Sequence, residues 1–227
     1  MAEKRGLFIV FEGIDGCGKS TQLWQLAQNI ERRDKYLDIV RTHEPWNNKE
    51  IKRRLKEDKD AYSGALEMAR LFVDESRVPH TQQLIRPRLE EGYMVLCDRY
   101  SMSTCAYQWA QGASLDELIS MHRYNVILTP DITFLVDVPV SVCIERRKKR
   151  GDPPEKFDSP DFAERLRETY LSLAEKAKKG FDHWLFGNVE VINGNHSIGD
   201  VACIINESFQ QLYNKWKNSY LPNLPAF

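Results

Sequence analysis

The chain has 227 residues, a length that fits one large or two small domains, and its 32 Lys and Arg against 33 Asp and Glu give a formal net charge of −1. This balance excludes the overall basic excess of broad nucleic-acid binders, and no apolar stretch approaches the roughly 20 residues of a membrane span. No linker is evident, and the start leads directly into an apolar run rather than a secretory signal. We therefore expect one cytoplasmic domain over residues 1–227 that binds neither nucleic acid nor membrane, with five cysteines that are reduced and mostly buried.

The first predicted strand, residues 7–11, leads into a glycine-rich motif of the form G-x-x-x-x-G-K-[ST]. Its glycines let backbone N–H groups converge on phosphate oxygens, and the helix that follows adds the positive end of its dipole. We expect Lys19 to reach the β and γ phosphates of a nucleoside triphosphate and Ser20 to hold a magnesium ion that bridges them. The predicted phosphate-binding residues are Gly13, Ile14, Asp15, Gly16, Cys17, Gly18, Lys19, Ser20 and Thr21.

The remaining chain alternates between two kinds of apolar pattern. Helical spacing predicts helices over residues 22–33, 49–56, 64–80, 115–124, 140–150, 162–180 and 200–216, with Pro87 near the start of a further segment that ends at residue 91. Unbroken apolar runs predict strands over residues 37–40, 93–97, 132–136 and 189–192. Strands of this kind are typical of a parallel sheet covered on both faces. The sequence therefore predicts an α/β fold, a three-layer α/β/α sandwich around a parallel five-stranded sheet, of the P-loop NTPase type.

Ligands of such a sheet bind beyond the carboxyl ends of its strands, where this chain places residues 42–45, 97–100 and 137–139 beside the phosphate loop. Asp98 follows an apolar strand, a position at which P-loop enzymes carry a carboxylate near Mg²⁺ or its water shell, so we expect it to join Ser20 as a metal residue. The alternative role for Asp98 is a helix cap or an ion pair with Arg99. Arg99 offers a forked cation that suits an acceptor phosphate.

Residues 145–156 join a basic helix end to a proline-rich turn. A basic helix end is commonly a solvated face that suits the helix dipole. Here it stands where a lid closes over a triphosphate, and phosphoryl transfer gains from cations placed on the developing charge. We therefore expect a lid segment at about residues 145–160.

These residues resemble those of the thymidylate (dTMP) kinase family, one of the P-loop nucleoside monophosphate kinases. The resemblance runs from residue 8 to about residue 192, and its most specific part is the block D-R-Y-S-M-S-T-C-A-Y-Q at residues 98–108. The other shared motifs are residues 11–21, Glu44-Pro45, Arg77 with His80, residues 85–87, Pro130-Asp131, residues 137–139 and residues 155–157. The resemblance implies Mg²⁺-dependent transfer of the γ-phosphoryl group of ATP to dTMP by a homodimer.

The resemblance also implies roles for particular residues. Asp15 contacts the sugar 3′-hydroxyl and orders the metal shell, while Arg99 grips the acceptor phosphate. Arg77 hydrogen-bonds the thymine edge, and Tyr107 lies against the 2′ position, where it disfavours ribose. The implied substrate-binding residues are Asp15, Glu44, Pro45, Phe72, Val73, Arg77, Arg99, Ser103, Thr104, Tyr107 and Gln108. The implied catalytic residues are Lys19, Arg99, Asp98 and Asp15, with Arg146, Arg150 and Lys156 as candidates for a lid cation because the phosphate loop holds no arginine.

The sequence departs from the family pattern at three places. His43 stands where an arginine usually precedes Glu-Pro, and residues 46–50 lack the usual glycine. The stacking phenylalanine of the family lies four residues before the thymine arginine, a position that Val73 occupies here. Either a helix irregularity presents Phe72 to the base instead, or the stacking contact is weaker. A further expectation concerns Cys17, whose place near a helix N-terminus and Lys19 predicts a lowered thiol pKa and high reactivity.

Two other functions share part of this pattern. A deoxynucleoside kinase has a similar phosphate loop and basic lid, but its neutral acceptor hydroxyl needs a general base, which Glu44 would have to supply. The block at residues 98–108 and the lid motif at residues 155–157 favour the monophosphate kinase. A guanine-specific nucleotide switch carries Asn-Lys-x-Asp after a late strand, and this sequence has no such motif.

Overall fold

The computed structural model describes residues 5–58, 60, 63–123, 127–151, 156–157 and 159–220. Five parallel strands form one sheet in the order β2-β3-β1-β4-β5, which confirms the predicted fold class. The strands are β1 (Phe8–Glu12), β2 (Ile39–His43), β3 (Met94–Asp98), β4 (Ile132–Asp137) and β5 (Asn188–Asn193). All five therefore end at the same edge of the sheet, and the phosphate loop follows the central strand β1.

The helices cover both faces of this sheet. In chain order they are α1 (Lys19–Arg33), α2 (Lys49–Glu57), α3 (Ala65–Arg70), π1 (Leu71–Arg77), α4 (Val78–His80), π2 (Thr81–Ile85), α5 (Arg86–Glu90), α6 (Ser101–Ala110), α7 (Leu115–Arg123), α8 (Val140–Arg150), α9 (Pro160–Lys178), α10 (His183–Phe186) and α11 (Ile198–Tyr220). The sequence patterns did not predict α6 or α10. The helices that the sequence did predict are present, with ends that differ by a few residues outside the stretch 65–90 described below.

Strand β1 shows why the core forms on both sides of the sheet. Its alternating side chains point to opposite faces, as the period of two in a strand requires. Ile9 and Phe11 belong to the apolar cluster that contains residues of α1 and α11. Phe8 and Val10 belong to the cluster on the other face, with residues of π2, α5 and β3. Because both faces of the strand are covered, its first four residues are all apolar and carry no alternating pattern.

One helical stretch, residues 65–90, differs from the sequence prediction. We expected a helix over residues 64–80 and a separate segment near Pro87, but helical structure is continuous from Ala65 to Glu90. Two π-helical turns interrupt it, and in each the backbone hydrogen bond spans five residues, as from the Val78 N–H to the Val73 carbonyl. Each π turn changes which side chains share a face of the helix.

Parts of two predicted segments lie outside the described residues, one of them the last residue, 124, of the helix predicted over residues 115–124. The predicted lid at residues 145–160 includes the end of α8, but its residues 152–155 and 158 lie outside the described part of the chain. So do the N-terminal residues 1–4 and the C-terminal residues 221–227. The single domain with a lid therefore stays a prediction.

Candidate active site

The phosphate loop runs from the end of β1 to the start of α1, as the motif predicts. Gly13 and Gly16 have φ angles of 138° and 91°, in the region that side chains rarely adopt. A Cβ atom at Gly13 would lie 2.6 Å from the Val136 carbonyl oxygen, and one at Gly16 would lie 2.5 Å from that of Cys143. The loop is thus packed against β4 and α8, and only glycine fits at these two positions.

Ser20 and Asp98 meet at the N-terminus of α1. The Ser20 hydroxyl donates a hydrogen bond to Oδ2 of Asp98, while Oδ1 of Asp98 is buried and has no hydrogen-bond partner among the described residues. A buried carboxylate oxygen without a partner is costly unless a ligand completes it. A hydroxyl and a carboxylate are oxygen donors of the kind that Mg²⁺ uses together with water and phosphate. The two residues therefore fit a magnesium ion beside the phosphate loop.

The carboxylate of Asp15 lies between two cations. Its Oδ1 is 2.6 Å from Nη2 of Arg99 and 3.3 Å from Nζ of Lys19. Burial alone would raise the pKa of this carboxyl, but the charges of Arg99 and Lys19 and the hydrogen bonds from Arg99 and Tyr107 hold the pKa well below its usual range. Asp15 is therefore an anion that orients two of the predicted phosphate-binding cations.

A buried acid that the sequence analysis did not assign to the site holds Arg99 in place. Arg99 has a φ of 71°, which is unusual for a residue with a side chain. The next residue, Tyr100, donates its backbone N–H to Oε1 of Glu12 at 2.8 Å, and the backbone N–H of Ser103 donates to the same oxygen at 3.1 Å. Glu12 is fully buried. It fixes the turn after β3, and so it fixes the backbone from which the Arg99 side chain projects.

A pocket of about 360 Å³ lies beside Asp15 and Arg99. It brings together most of the residues that the resemblance implied for the acceptor, and α2 and residue 157 contribute others that the sequence analysis did not identify. The lining residues are Asp15, Glu44, Pro45, Lys52, Leu55, Lys56, Phe72, Arg77, Arg99, Ser103, Thr104, Tyr107, Gln108 and Phe157. We call this the acceptor pocket.

The π1 turn decides which side chain reaches the acceptor pocket. Phe72 lines the pocket, whereas Val73 is fully buried in the protein. In a helix with i to i+5 hydrogen bonds, residues five positions apart lie near one face, so Phe72 shares a face with Arg77. The irregular helix was one of the two alternatives drawn from the sequence, and the structure has it. Val73 is not at the site.

Arg77 is buried at the inner end of this pocket in a hydrogen-bonded network. Its Nε donates to Glu44 at 2.9 Å, and its Nη2 donates to the Tyr100 carbonyl and to Oγ1 of Thr104, both at 2.9 Å. Its Nη1 lies 2.8 Å from Nε2 of His122, and this is the only partner of Nη1 within the described chain. One N–H of Nη1 is therefore left to donate to a ligand.

His122 is the histidine acceptor of this network. Its Nδ1 lies 2.7 Å from the Leu118 carbonyl, which can only accept, so Nδ1 carries the proton and Nε2 accepts from Arg77. Burial and the nearby Arg77 charge lower the pKa of His122 to about 3. The ring is thus neutral at physiological pH. Sequence reasoning missed His122 because a single histidine in a helix carries no motif.

Tyr107 closes one side of the acceptor pocket. Its hydroxyl donates to Oδ2 of Asp15 at 3.0 Å and accepts from Nη2 of Arg99 at 3.1 Å. Its ring packs edge-on against Phe157 with centroids 4.9 Å apart. Tyr107 is therefore both a wall of the pocket and a donor that orients Asp15.

A second pocket of about 320 Å³ lies on the other side of the phosphate loop, between α1, α8 and the turn after β5. Arg146 spans it, with Nη1 3.2 Å from the Cys17 carbonyl and Nη2 3.2 Å from the Gly194 carbonyl. Arg150 and Lys149 also line it. We call this the outer pocket.

The third lid candidate, Lys156, lies elsewhere. Its amine is fully buried and contacts the Asp58 carboxylate, the Asp60 carbonyl and the Ser63 hydroxyl in the segment after α2. The hydrogen bond from Lys156 is the main cause that lowers the pKa of Asp58 to about 2. Arg147, which the sequence analysis left out, lines a small cleft beside Asp15 and Phe157.

The expectation of a lowered thiol pKa at Cys17 is wrong. Its side chain is buried, and burial raises the pKa of the thiol, an effect that the Lys19 charge only partly offsets. Four of the five cysteines are buried and Cys203 is exposed, and all five are free thiols. The sequence showed the helix N-terminus near Cys17 but not the packing around it.

The chain matches the family model described as thymidylate kinase over residues 11–183. It is 35% identical over 208 residues to a probable thymidylate kinase of Staphylothermus marinus, which covers 87% of this chain and 100% of that protein. A probable thymidylate kinase of Pyrococcus horikoshii is 36% identical over 202 residues (87% and 92%), and a thymidylate kinase of Ruegeria pomeroyi is 34% identical over 209 residues (89% and 93%). No helix in the described part of the chain is long and apolar enough to cross a membrane. The chain belongs to the thymidylate kinase family.

Proposed function

We propose that this chain phosphorylates dTMP in the acceptor pocket, with ATP as the donor and Mg²⁺ held at Ser20 and Asp98. Membership of the family gives the acceptor, and the arrangement of Arg99, Asp15 and Lys19 around the phosphate loop carries the proposal. Lys19 belongs to the loop that binds the donor phosphates, and Arg99 faces the acceptor pocket. The two phosphates to be joined therefore meet at Asp15.

The inner end of the acceptor pocket suits the edge of thymine. One N–H of Arg77 Nη1 is available to donate, and Oε1 of Gln108 is buried with no partner among the described residues. Thymine offers an acceptor, its C4 carbonyl, next to a donor, its N3–H, whereas cytosine offers an amino donor at C4. The pocket's donor and acceptor match thymine, and Phe72 supplies an aromatic surface for the base.

The end of the acceptor pocket away from Arg77 is cationic. Arg99 presents a forked guanidinium that fits a phosphate with two hydrogen bonds. Lys52 and Lys56 of α2 line the pocket and add positive charge near its mouth. A nucleoside without phosphate would leave these cations without their partner. The pocket is therefore built for a monophosphate.

The donor side follows from the phosphate loop and the outer pocket. We place the donor's base and sugar in the outer pocket, where Arg146 adds positive charge beside the Cys17 and Gly194 carbonyls. Mg²⁺ supplies charge neutralisation on the donor phosphates when it is bound. Lys19 stabilises the charge of the transferring group. Arg147 of α8 lines a small cleft together with Asp15. Arg146 braces the loop, and Lys156 holds its own segment against residues 58–63.

The geometry does not favour the deoxynucleoside kinase. In that reaction Glu44 would act as the general base for a neutral hydroxyl. In this structure the Glu44 carboxylate accepts from Arg77 and from Nδ1 of His80, so its oxygens are engaged in orienting Arg77. Glu44 is thus a positioning group for the base-reading arginine.

The acceptor is tested by comparing kcat/KM for dTMP, thymidine, dCMP and AMP with ATP and Mg²⁺. We expect dTMP to exceed each of the others by at least about a hundredfold, since rejecting a ligand that leaves buried polar groups unpaired is effective. Equal turnover of thymidine would support the deoxynucleoside kinase, and equal turnover of dCMP or AMP would remove the assignment of the base pocket.

The homodimer and the cytoplasmic location are part of the same proposal. Five free cysteines suit a reducing compartment, which supports the location. Light scattering of the purified protein measures the oligomeric state, and a mass of one chain would contradict the dimer.

A further inference from the structure

The side-chain amide of Gln108 can take two orientations that differ in hydrogen bonding, whereas the guanidinium of Arg77 cannot. An arginine can only donate hydrogen bonds, whereas a glutamine amide donates at one end and accepts at the other. Gln108 lines the acceptor pocket, and turning its amide by half a turn would replace its unpaired oxygen by an NH₂ group. The choice between these two orientations decides which pyrimidine fits, and nothing in Gln108 itself makes that choice.

The choice is made by a chain of hydrogen bonds behind the pocket. The Ser63 carbonyl can only accept, and it lies 2.9 Å from the side-chain amide of Gln111, so the nitrogen of Gln111 must face it. The oxygen of Gln111 then faces Gln108 at 3.0 Å, so Gln108 must donate with its own nitrogen. This leaves the oxygen of Gln108 as the free end. A backbone carbonyl thus fixes the orientation of two amides in succession.

Gln111 is well placed for this role. It caps the C-terminus of α6, the helix that also carries Thr104 and Tyr107, and it is 8% exposed. Gln108 is fully buried, so water does not compete for its amide. Because a buried polar group without a partner is costly, the alternative orientation, which would set the oxygens of Gln108 and Gln111 against each other, is strongly disfavoured.

We infer that Gln111 is a positioning residue that turns the Gln108 oxygen into the acceptor pocket and thereby selects bases with an N3–H, thymine and uracil, over cytosine. This inference rests on the proposed function, since it needs the base to lie against Gln108. Gln111 touches no reacting atom. Its effect is on the choice of acceptor and not on the transfer of the phosphoryl group.

The test is the ratio of dissociation constants for dCMP and dTMP, measured by calorimetry without ATP, in wild type and variants. Gln111→Met keeps the length of the side chain and removes the acceptor, so we expect the ratio to fall about tenfold as the amide of Gln108 becomes free to turn. Gln111→Glu keeps an oxygen that faces Gln108 and should keep most of the ratio. Gln211→Met, an exposed glutamine of α11, is the matched control.

A structural role alone predicts a different result. If Gln111 only stabilises the fold, Met and Glu variants should lose affinity for both nucleotides alike, and the KM for ATP should rise with them. If Gln111→Met does not fold, Gln111→Lys answers the question, because its ammonium only donates and should lower the ratio further. An unchanged ratio in a folded Met or Lys variant overturns the inference. A wild-type protein that does not prefer dTMP to dCMP overturns the proposed function instead.

Discussion

At the scale of single residues, the site depends on ion pairs between acidic and basic side chains. Asp15 binds Arg99 and Lys19 through one carboxylate oxygen, and Glu44 binds Arg77 and His80. Each acid holds an arginine that lines the acceptor pocket. Because the ion pairs of Asp15 with Arg99 and of Glu44 with Arg77 are buried or partly buried, loss of either partner leaves an uncompensated charge.

Lys19 and Arg99 should differ in the kinetic effect of their loss. Lys19→Ala should lower kcat, on the order of a hundredfold, because the lysine stabilises charge that develops during transfer. Arg99→Ala should also raise the KM for dTMP, whereas the KM for ATP should change little. Arg99→Lys keeps the charge but loses the fork, so an intermediate effect is expected. Steady-state kinetics of folded variants measures this, and an unchanged dTMP KM in Arg99→Ala would make Arg99 purely structural.

His122 should make the protein sensitive to acid. Its pKa is about 3 in the folded protein against 6.5 for an ordinary histidine, so the unfolded chain binds the extra proton first. Stability from this group is complete above pH 6.5 and is lost as pH falls towards 3, by at most about 1.4 kcal/mol per pH unit.

His122→Gln keeps an acceptor for Arg77 but does not titrate. From pH 6.5 to pH 5, its free energy of unfolding should fall by about 1 to 2 kcal/mol less than that of wild type. Denaturant unfolding at the two pH values measures the difference. His183→Gln, at an exposed histidine of α10, is the control. Equal losses in wild type and His122→Gln would contradict a neutral, buried His122.

At the scale of elements, the π1 turn determines which side chain of residues 72 and 73 lines the acceptor pocket. The sequence puts the aromatic residue five positions before Arg77 instead of four, and a helix with five-residue hydrogen bonds returns Phe72 to the face of Arg77. Val73 then enters the core. The change in helix type thus compensates for the shifted phenylalanine.

Two neighbouring substitutions test this register. Phe72→Ala should weaken dTMP binding by about three- to tenfold, because an aromatic contact with the base is lost, and should hardly change stability. Val73→Ala should lower the free energy of unfolding by about 1 to 3 kcal/mol, because it leaves a cavity, and should keep dTMP affinity. Calorimetry measures the dTMP affinity of both variants, and denaturant unfolding measures their stability. The reverse pattern would put Val73 at the base and Phe72 in the core.

The sequence predicted β1, β3 and β4 well because each is a buried, largely apolar run followed by polar residues at the same edge of the sheet. The prediction for β2 begins two residues too early, since only Ile39 and Val40 of this strand are apolar. It did not predict α6, because residues such as Met102, Cys105 and Gln108 are buried around most of the helix and leave little helical period. The π turns were not predicted either, since the apolar spacing of a short stretch does not distinguish them from an α-helix. The pairs Glu12 with Tyr100 and Gln111 with Ser63 join distant parts of the chain, and a single sequence holds no signal for them.

At the scale of the whole molecule, two pockets flank the phosphate loop. Asp15 lines the acceptor pocket, while Gly16, Cys17 and Gly18 line the outer pocket, so four consecutive residues of the phosphate loop contribute to the two pockets. The parallel sheet places both sites at the carboxyl edge of its strands, as expected for this architecture. In the proposed function, donor and acceptor occupy these two pockets and their phosphates meet at the phosphate loop, as an in-line transfer requires.

The most direct test follows the γ-phosphate itself. ATP labelled at the γ position is mixed with dTMP, Mg²⁺ and the purified protein, and the products are separated. The account predicts that the label moves to dTDP, that chelation of Mg²⁺ stops the transfer, and that thymidine in place of dTMP takes up no label. Label that appears on thymidine, or only as inorganic phosphate with dTMP unchanged, would contradict it.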